Sequence, residues 1–504
     1  MAECLTERYA DQIKGTLHCF DRLVFHGSFR EIEYPGAMEG HLRQHGVLFI
    51  DYEKRVANQL RLEMTAHVKA VAAFHKMDIT FLNHSVRKEA HVARVLAKRG
   101  NRSGVVCVIS AMESCRCYKV RKDERTGFLC LKNSPGKCLH YYIYMMDEDL
   151  GLCYLRIPTW APFRLQFYFN GHDRLERQLK ESGIRYKKND NAFVHISDFK
   201  RANELAASLD PDFLVKKFNG IARKWVSVFD RFQGHMRWSI FQAELATDIV
   251  FKNSHTLPSI YDDIVRTAIC DIKCRDVYQF LGRRDNNHSQ EQPEGRLQTL
   301  VEGTRIKHNL KSSSIKMYDK GDRVLRIETT TSDVSSFKCY RSVVSRDGTL
   351  DARRAPILKD ISSLPVVRET LQGCNERYLG AISQMEDRAD ERHKLDQIVQ
   401  SKKDSEGRSF RGVNFFLSDD LLFLRAILQG ENNVLGLRNR SLKPWLPGWS
   451  AQKIGRNLRR FRALGLLKKV AFTTKYYMTK LGNDMLVAAL QLRERIVLPA
   501  LKTS

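Results

Sequence analysis

The spacing of apolar residues predicts both helices and strands in the first part of the chain. Residues 52–77, YEKRVANQLRLEMTAHVKAVAAFHKM, carry apolar side chains three and four positions apart, which is typical of an amphipathic helix. The apolar runs CFDRLVFHG, residues 19–27, and SGVVCVISAM, residues 103–112, have the length and composition of buried strands. We therefore expect residues 1–105 to be mixed α/β.

Strand patterns dominate the following segment. Residues 138–157, CLHYYIYMMDEDLGLCYLRI, form two β-rich runs around an acidic, glycine-containing turn, which predicts a hairpin. FRLQFYFNGHDRL predicts a third strand and then a helix from near Asp173. NAFVHISDFKRANELAASL repeats this order, with Ser197 or Asp198 suited to cap its helix. The pattern predicts an antiparallel sheet with helices on one face.

Residues 211–300 are predicted to be largely helical, and HMRWSIFQAELATDIVF, residues 235–251, is the clearest helix. Glu244 and Asp248 would share a face of that helix, where they suit either a divalent ion or salt bridges. Further on, residues 303–330 predict strands joined by a turn at Gly321.

The pattern at the end of the chain predicts a compact module. SDDLLFLRAIL predicts a helix capped by Ser418, a short helix follows near NRSLKPWL, and Ser450 caps a third, AQKIGRNLRRFRAL. LLKKVAFTTKYYMT predicts two short strands, and KLGNDMLVAALQLRER a final helix. The order helix, helix, helix, hairpin, helix predicts a winged helix-turn-helix.

We predict the α+β class, with a mixed or antiparallel sheet body with helices and a C-terminal winged helix-turn-helix domain. The chain has 504 residues, which corresponds to two or three domains. The predicted divisions are an N-terminal body with an aromatic-rich antiparallel sheet (1–210), a helical and strand-containing central region (211–397), a linker (398–413) and the winged domain (414–504).

Charge changes the picture by indicating a partner. The chain carries 84 Lys and Arg against 58 Asp and Glu, a formal charge of +26, which attracts polyanions, so nucleic acid is the expected partner. No apolar run reaches the ~18 residues that span a bilayer, and the N-terminus is too polar for a signal peptide. We expect no membrane partner and a cytoplasmic location.

The positive charge is concentrated in the predicted winged domain. From Arg438 to Lys480 there are twelve Lys or Arg and no acid. The third helix is expected to enter the major groove while the wing contacts the DNA backbone. Arg456, Asn457 and Arg460 are the predicted base-reading residues. The predicted nucleic-acid-binding set in this domain is Lys453, Arg456, Asn457, Arg459, Arg460, Lys468, Lys469 and Lys475.

This module resembles the MarR-type winged-helix family, and NLRRFRALGLLKKV and KYYMTKLG carry the resemblance. The resemblance implies a DNA-binding module, and members of the family dimerise through terminal helices, so a homodimer is one expectation. The long preceding body departs from the family pattern and does not imply simple ligand-controlled repression. A winged helix that contacts protein instead of DNA is the alternative.

A second candidate site lies in the predicted strands around Gly321. Strand periodicity places Lys316, Tyr318 and Lys320 on one side, and Arg326 and Glu328 together on the next strand. A tyrosine flanked by lysines can attack a phosphodiester, because the cations would favour the phenolate and hold the phosphate. The alternative is that Tyr318 packs in the interior.

The residues MYDK (317–320) and LRIE (325–328) resemble a paired-strand pattern in replication initiators of filamentous phages and rolling-circle plasmids. The resemblance implies Tyr318 as a catalytic nucleophile and Glu328 as a metal ligand. Those enzymes bind their metal through a His-x-His pair, which this sequence does not contain. No cofactor is implied otherwise, and a divalent metal is expected only if the chain cuts DNA.

Two further groups of residues leave alternatives open. Tyr142 and Tyr144 share a face of one predicted strand and either stack on unpaired bases or pack in the core. The four cysteines 115, 117, 130 and 138 either bind zinc or are incidental thiols. The function expected is thus DNA binding, for a protein of a mobile or replicating element. The alternatives are an enzyme that nicks single-stranded DNA and an RNA-binding partner of a structured RNA.

Overall fold

The computed structural model describes residues 4–83, 86–232, 236–272, 274–282, 294–300, 303–345, 348–384, 395–404, 407–429 and 436–501. The chain divides into two compact units, Met1–Met385 and Glu386–Ser504. Together the units contain both helices and a large sheet, which confirms the predicted α+β class. Among the described residues, every helix is too short or too polar to cross a bilayer.

Eleven of the strands described in the first unit form one sheet, in the order β10-β11-β12-β13-β9-β1-β6-β5-β4-β3-β2. Neighbours pair antiparallel except β2 and β3, which are parallel. The strands are β1 (Ile13–Phe29), β2 (Ile79–Phe81), β3 (Gly104–Lys122), β4 (Leu129–Asp147), β5 (Gly151–Pro158), β6 (Leu165–Asn170), β9 (Met236–Phe251), β10 (Glu294–Leu300), β11 (Gly303–Leu310), β12 (Ser313–Lys320) and β13 (Val324–Thr331). Two hairpins lie outside this sheet: β7 (Tyr186–Asn189) with β8 (Ala192–Ile196), and β14 (Lys338–Val344) with β15 (Leu350–Pro356).

Ten helices are described in the same unit. They are α1 (Leu5–Arg8), α2 (Pro35–Gln44), α3 (Asn58–Phe74), α4 (Lys88–Arg99), α5 (Gly171–Glu181), α6 (Phe199–Ala207), α7 (Pro211–Trp225), α8 (Thr256–Cys270), α9 (Cys274–Phe280) and α10 (Leu364–Ile382). The predicted cap of α6 is confirmed, since the Asp198 side chain accepts a hydrogen bond at its start; Asn170, which was not predicted, caps α5. The predicted cap Ser418 is wrong, because Ser418 is the first residue inside its helix and Leu417 precedes it without a side-chain cap.

Helices cover both faces of the sheet, and the prediction of helices on one face is wrong. Helices α3, α7, α8 and α10 pack on one face, which we call the first face, against alternate residues such as Tyr141 and Ile143 of β4. Helices α4, α5 and α6 pack on the second face, and there α4 covers Tyr142 and Tyr144. Residues of both parities along β4 are therefore buried, as in sheets sandwiched between helix layers.

The segment predicted as the clearest helix of the central region is strand β9. Its residues from Ala243 to Phe251 are buried without a break, so the run shows no alternation of apolar and polar positions. The run is apolar apart from Glu244, Thr247 and Asp248, and such a run fits a buried strand as well as a buried helix. β9 pairs along most of its length with β1 and from Ala243 to Val250 with β13, and this pairing selects the strand.

The predicted boundary at residue 210 does not divide the body. β1 pairs with β6 on one side and with β9 on the other, so strands from both predicted regions build one sheet. The predicted linker 398–413 also packs within the second unit: Ile398 and Val413 are buried in its core, and the Val413 amide donates to the Ile398 carbonyl at 2.8 Å.

The second unit contains, in chain order, β16 (Lys402–Lys403), β17 (Ser409–Phe410), α11 (Ser418–Ile427), α12 (Asn439–Leu442), α13 (Ala451–Ala463), β18 (Leu467–Lys469), β19 (Tyr476–Met478), α14 (Lys480–Leu492) and α15 (Leu498–Leu501). β18 and β19 pair antiparallel, and an isolated bridge joins Leu437 to Tyr476 on the other side of β19. Ser450 caps α13 by accepting from the Lys453 amide, as predicted.

Gly171 lets α5 approach β1 closely, since a Cβ at this position would collide with the carbonyl oxygen of Phe20. We expect Gly171→Ala to destabilise the first unit by about 1–3 kcal/mol, because backbone must shift to make room. Gly220→Ala in α7 is the matched control: no atom lies within 4 Å of its added methyl, and alanine should stabilise that helix by about 0.5–1 kcal/mol. Urea unfolding of both variants checks this, and equal effects would contradict it.

Candidate functional site

Four neighbouring strands, in the order β12, β13, β9 and β1, bring charged side chains together on the second face of the sheet. The N-terminus of α5 adds a histidine to them. We call this group the charged cluster; its members are Asp21, His172, Glu244, Asp248, Lys316, Tyr318, Arg326 and Glu328. The predicted turn at Gly321 joins β12 to β13, and Arg326 and Glu328 share one side of β13 as predicted. The register also places Lys316 opposite Glu328 and Tyr318 opposite Arg326, which was not predicted.

A β-bulge directs Asp21 into the charged cluster. The register of β1 against β9 shifts between Phe20 and Arg22, so Asp21 is the extra residue. A bulge reorients the side chain at the extra position, which is why bulges recur beside functional sites. The Asp21 Oδ1 atom then accepts hydrogen bonds from Asn170 at 3.1 Å and Asn191 at 3.0 Å.

Arg326 is the buried centre of the charged cluster. Its side chain is 0 % exposed and forms a bidentate pair with Asp248, from Nε at 2.6 Å and from Nη2 at 2.7 Å. Nη2 also donates to the Asn191 carbonyl at 2.9 Å. His172 lies between the two aspartates, with Nδ1 3.1 Å from Asp21 and Nε2 3.7 Å from Asp248. The pair thus ties together β13, β9, α5 and the β7–β8 hairpin.

Lys316 and Tyr318 are both bonded to Glu328. The Lys316 Nζ atom donates to Glu244 Oε1 at 2.5 Å and to Glu328 Oε2 at 3.2 Å, and the Tyr318 hydroxyl donates to Glu328 Oε1 at 2.8 Å. Lys320 donates to Asp190 at 2.8 Å and also to Asn191. Both lysines are therefore bonded to protein groups. The prediction that they hold a phosphate beside Tyr318 would require their ammonium groups to be free of these partners.

The predicted activation of Tyr318 is wrong. Burial, followed by the charge of Glu328, raises the pKa of Tyr318 and so favours the neutral phenol. Lysine charge was expected to favour the phenolate, but Lys316 is neutralised by its two glutamates. Tyr318 is consequently a hydrogen-bond donor to Glu328 rather than a nucleophile poised for attack.

The carboxylates of the charged cluster differ in protonation. Burial alone would raise the pKa of Asp248, but Arg326 and His172 outweigh it and hold the value at about 2. Asp21 is likewise ionised, because the bond to His172 overcomes burial and lowers its pKa. Burial raises the pKa of Glu328 to about 7, since Lys316 and Arg326 only partly offset burial and the charges of Glu244 and Asp21.

Three of these carboxylates form a group that fits a metal ion. One oxygen each of Asp21, Glu244 and Glu328 lies within 4.8 Å of the others, and oxygen donors suit Mg²⁺, Mn²⁺ or Ca²⁺. Glu328 was predicted as a metal ligand and Glu244 was paired with Asp248 for that role; Asp248 is instead held by Arg326. Asp21 and His172 were not predicted, although an aspartate inside the apolar run CFDRLVF was a signal for Asp21.

In the second unit, two of the predicted base-reading residues are buried. Arg460 is 6 % exposed and forms a bidentate pair with Asp420, at 2.9 Å and 2.6 Å. Asn457 is 9 % exposed, accepts from Arg460 at 3.0 Å and donates to the Lys453 carbonyl at 3.0 Å. The base-reading role of Asn457 and Arg460 is therefore wrong, because Arg460 is used to hold α13 against α11 and Asn457 is bonded to Arg460 within α13.

The remaining predicted cations of this unit differ in their freedom. Lys453 is paired with Asp419 at 2.8 Å and lies 4.0 Å from the Trp449 ring centroid, while Lys475 lies over the Tyr477 ring. Four of them, Arg456, Arg459, Lys468 and Lys469, are exposed and have no carboxylate partner among the described residues, and the same holds for Arg462 on α13. A cleft of about 520 Å³ lies beside α13, lined in part by Arg438, Arg440, Arg459 and Lys469.

The aromatic and cysteine hypotheses have clear outcomes. Tyr142, Tyr144 and Tyr154 are at most 8 % exposed, so they are packed and not available for base stacking. The cysteines 115, 117, 130 and 138 are unpaired thiols, and among the described residues they form no group with sulfur atoms close enough for one metal ion. Of the two interpretations, incidental thiols agree with this arrangement.

Comparison of the chain with protein-family models, curated proteins and solved structures finds no match.

Ionisation of Glu328 should reduce the stability of the metal-free protein as pH rises. A folded-state pKa of about 7, above the ordinary carboxyl value of 4.5, means that stability is lost between about pH 4.5 and 7, by at most about 3 kcal/mol. We expect Glu328→Gln to lack this loss, measured by urea unfolding at pH 5 and pH 8 in EDTA. The exposed control Glu181→Gln should keep it; a variant Glu328→Gln with the wild-type pH dependence would contradict the assignment.

Removal of Arg460 should destabilise the second unit. Arg460→Ala leaves Asp420 buried with the half-exposed Arg411 and the Asn414 amide as its remaining partners among the described residues, which should cost about 2–4 kcal/mol. Arg459→Ala, one position away and exposed, should change stability by less than about 0.5 kcal/mol. Hydrogen exchange of α13 reports on this unit directly, and slow exchange preserved in Arg460→Ala would refute the structural role.

Proposed function

We propose that the protein binds duplex DNA through its second unit, as a winged helix-turn-helix in which α12 and α13 form the helix-turn-helix and β18 and β19 the wing. The observation that carries this proposal is the unequal use of cations on α13. Arg460 is buried against Asp420, whereas Arg456, Arg459 and Arg462 remain exposed without acidic partners among the described residues. Unpaired cations on one helix, with two lysines on the adjacent strand, suit a row of phosphates.

The local architecture supports the same proposal. The element order from α11 to α14 is the order expected of a winged module, and the Leu437–Tyr476 bridge adds a third segment beside the β18–β19 hairpin. Arg456 becomes the main base-reading candidate, because it is exposed and its guanidinium can bind a guanine edge. Lys468 and Lys469 are exposed on β18 and are assigned to the DNA backbone.

The two alternatives have lost their supporting residues. An RNA-binding sheet needed free aromatic rings, and Tyr142 and Tyr144 are buried under α4. The nicking alternative used Tyr318 as its nucleophile, and the Tyr318 hydroxyl donates to Glu328 at 2.8 Å. We therefore propose DNA binding, which the exposed cations of α13 and β18 support.

Binding to duplex DNA should depend steeply on salt. About six phosphate contacts predict a slope near −5 for log affinity against log salt concentration. Fluorescence anisotropy with the intact chain and a labelled mixed-sequence duplex measures it, and a flat dependence would sink the proposal. Replacing Lys468 and Lys469 by Ala should make the slope shallower by about two and weaken binding to every sequence. Lys69→Ala, an exposed cation on α3, should leave the slope unchanged.

Arg456 should act on sequence preference. A preferred duplex is first selected from a random pool. Arg456→Ala should then reduce the difference in binding free energy between the preferred duplex and a scrambled duplex by about 1–3 kcal/mol. Arg462→Ala, at the end of the same helix, removes the same charge and should weaken both duplexes alike. If Arg456→Ala kept the full difference in binding free energy between the two duplexes, α13 would not read bases through this residue.

A further inference from the structure

The three converging carboxylates of the charged cluster come from three different strands of the sheet. Asp21 is on β1, Glu244 on β9 and Glu328 on β13, and one oxygen of each lies within 4.8 Å of the others. Two oxygens on opposite sides of one ion are about 4.2 Å apart for Mg²⁺ and about 4.6–5.2 Å apart for Ca²⁺. The carboxylates are therefore already close to the separation that a single bound ion requires.

Arg326 provides a second observation, independent of the acids. Its side chain is 0 % exposed, and its Nη1 atom has no hydrogen-bond partner among the described residues. Nη1 points toward the carboxylates, 3.6 Å from Glu328 Oε1 and 4.0 Å from Asp21 Oδ1. A buried donor left unsatisfied costs about 1–3 kcal/mol, so a ligand oxygen is expected at this point. Water or a phosphate oxygen bound to a cation would supply it.

Lys316 occupies the position of a counter-ion. Its ammonium group donates to both Glu244 and Glu328 and so holds their oxygens toward a common point. The Lys316 side chain is 18 % exposed and that of Asp21 15 %, so this side of the charged cluster reaches the surface. Because the Lys316 side chain reaches solvent, its ammonium group has room to move aside for an ion that enters there.

We propose that Asp21, Glu244 and Glu328 bind one divalent cation of the class that prefers oxygen ligands, represented by Mg²⁺, Mn²⁺ and Ca²⁺, and that Lys316 moves aside as it enters. Three carboxylates without sulfur or imidazole donors suit these hard ions better than zinc or copper. The coordination positions that the protein does not fill take water or a phosphate oxygen, next to Arg326 Nη1. This site does not depend on DNA binding by the second unit.

Titration of the intact chain with Mn²⁺, with free Mn²⁺ measured by electron paramagnetic resonance, tests the proposal. We expect one saturable site per chain that Mg²⁺ or Ca²⁺ displaces. Glu244→Gln and Asp21→Asn should each weaken Mn²⁺ binding by about tenfold or more, as removal of a ligand does. Glu181→Gln, the same chemical change at an exposed position on α5, should bind Mn²⁺ like the wild type.

Lys316→Met separates a metal site from a purely structural ion-pair network. If the lysine competes with the ion, the substitution should tighten Mn²⁺ binding, whereas Lys69→Met should not change it. Circular dichroism confirms the fold of each variant beforehand, and Asp21→Asn serves if Glu244→Gln does not fold. Absence of saturable binding, unchanged binding in the folded ligand variants, or weaker binding in Lys316→Met would overturn the proposal. A chain that binds DNA but no Mn²⁺ would overturn this proposal alone.

Discussion

Because helices cover both faces of the sheet, a charged side chain on one of its central strands has little contact with bulk water and must find an opposite charge nearby. Moving an ion out of water costs several kcal/mol, and only close pairing with good geometry offsets this. The bidentate pair of Arg326 and Asp248 meets that requirement at the centre of the sheet. The positions of His172, Asn191 and Asp21 follow from it, since each completes the surroundings of one member of the pair.

The same rule separates two kinds of arginine in the second unit. Arg460 is enclosed and has a carboxylate that matches its guanidinium, whereas Arg459, its neighbour in sequence, is exposed and has none among the described residues. Neighbouring residues of a helix point about 100° apart, so Arg460 faces the interior while Arg459 faces solvent. Net charge alone therefore overstates the cations available to a polyanion, because some of them stabilise the fold.

Patterns with a clear period were predictable, and patterns without one were not. The β4–β5 hairpin, helix α3 and the caps of α6 and α13 are where local spacing placed them. β9 was taken for a helix because both of its faces are buried, yet Glu244 and Asp248 still share a face, since a spacing of four positions does so in a strand as in a helix. Asp21 and His172 joined the site only through long-range pairing and a bulge, which local periodicity does not encode.

The central position of β1 has a consequence for how the chain is made. Its partner β9 is synthesised more than 200 residues later, which takes roughly 10–40 s at about 5–20 residues per second. Until β9 is made, β1 has apolar side chains on both surfaces and one unpaired edge. Such an edge can pair with strands of other nascent chains. β1 thus gains its second neighbour in the sheet only after β9 has been made.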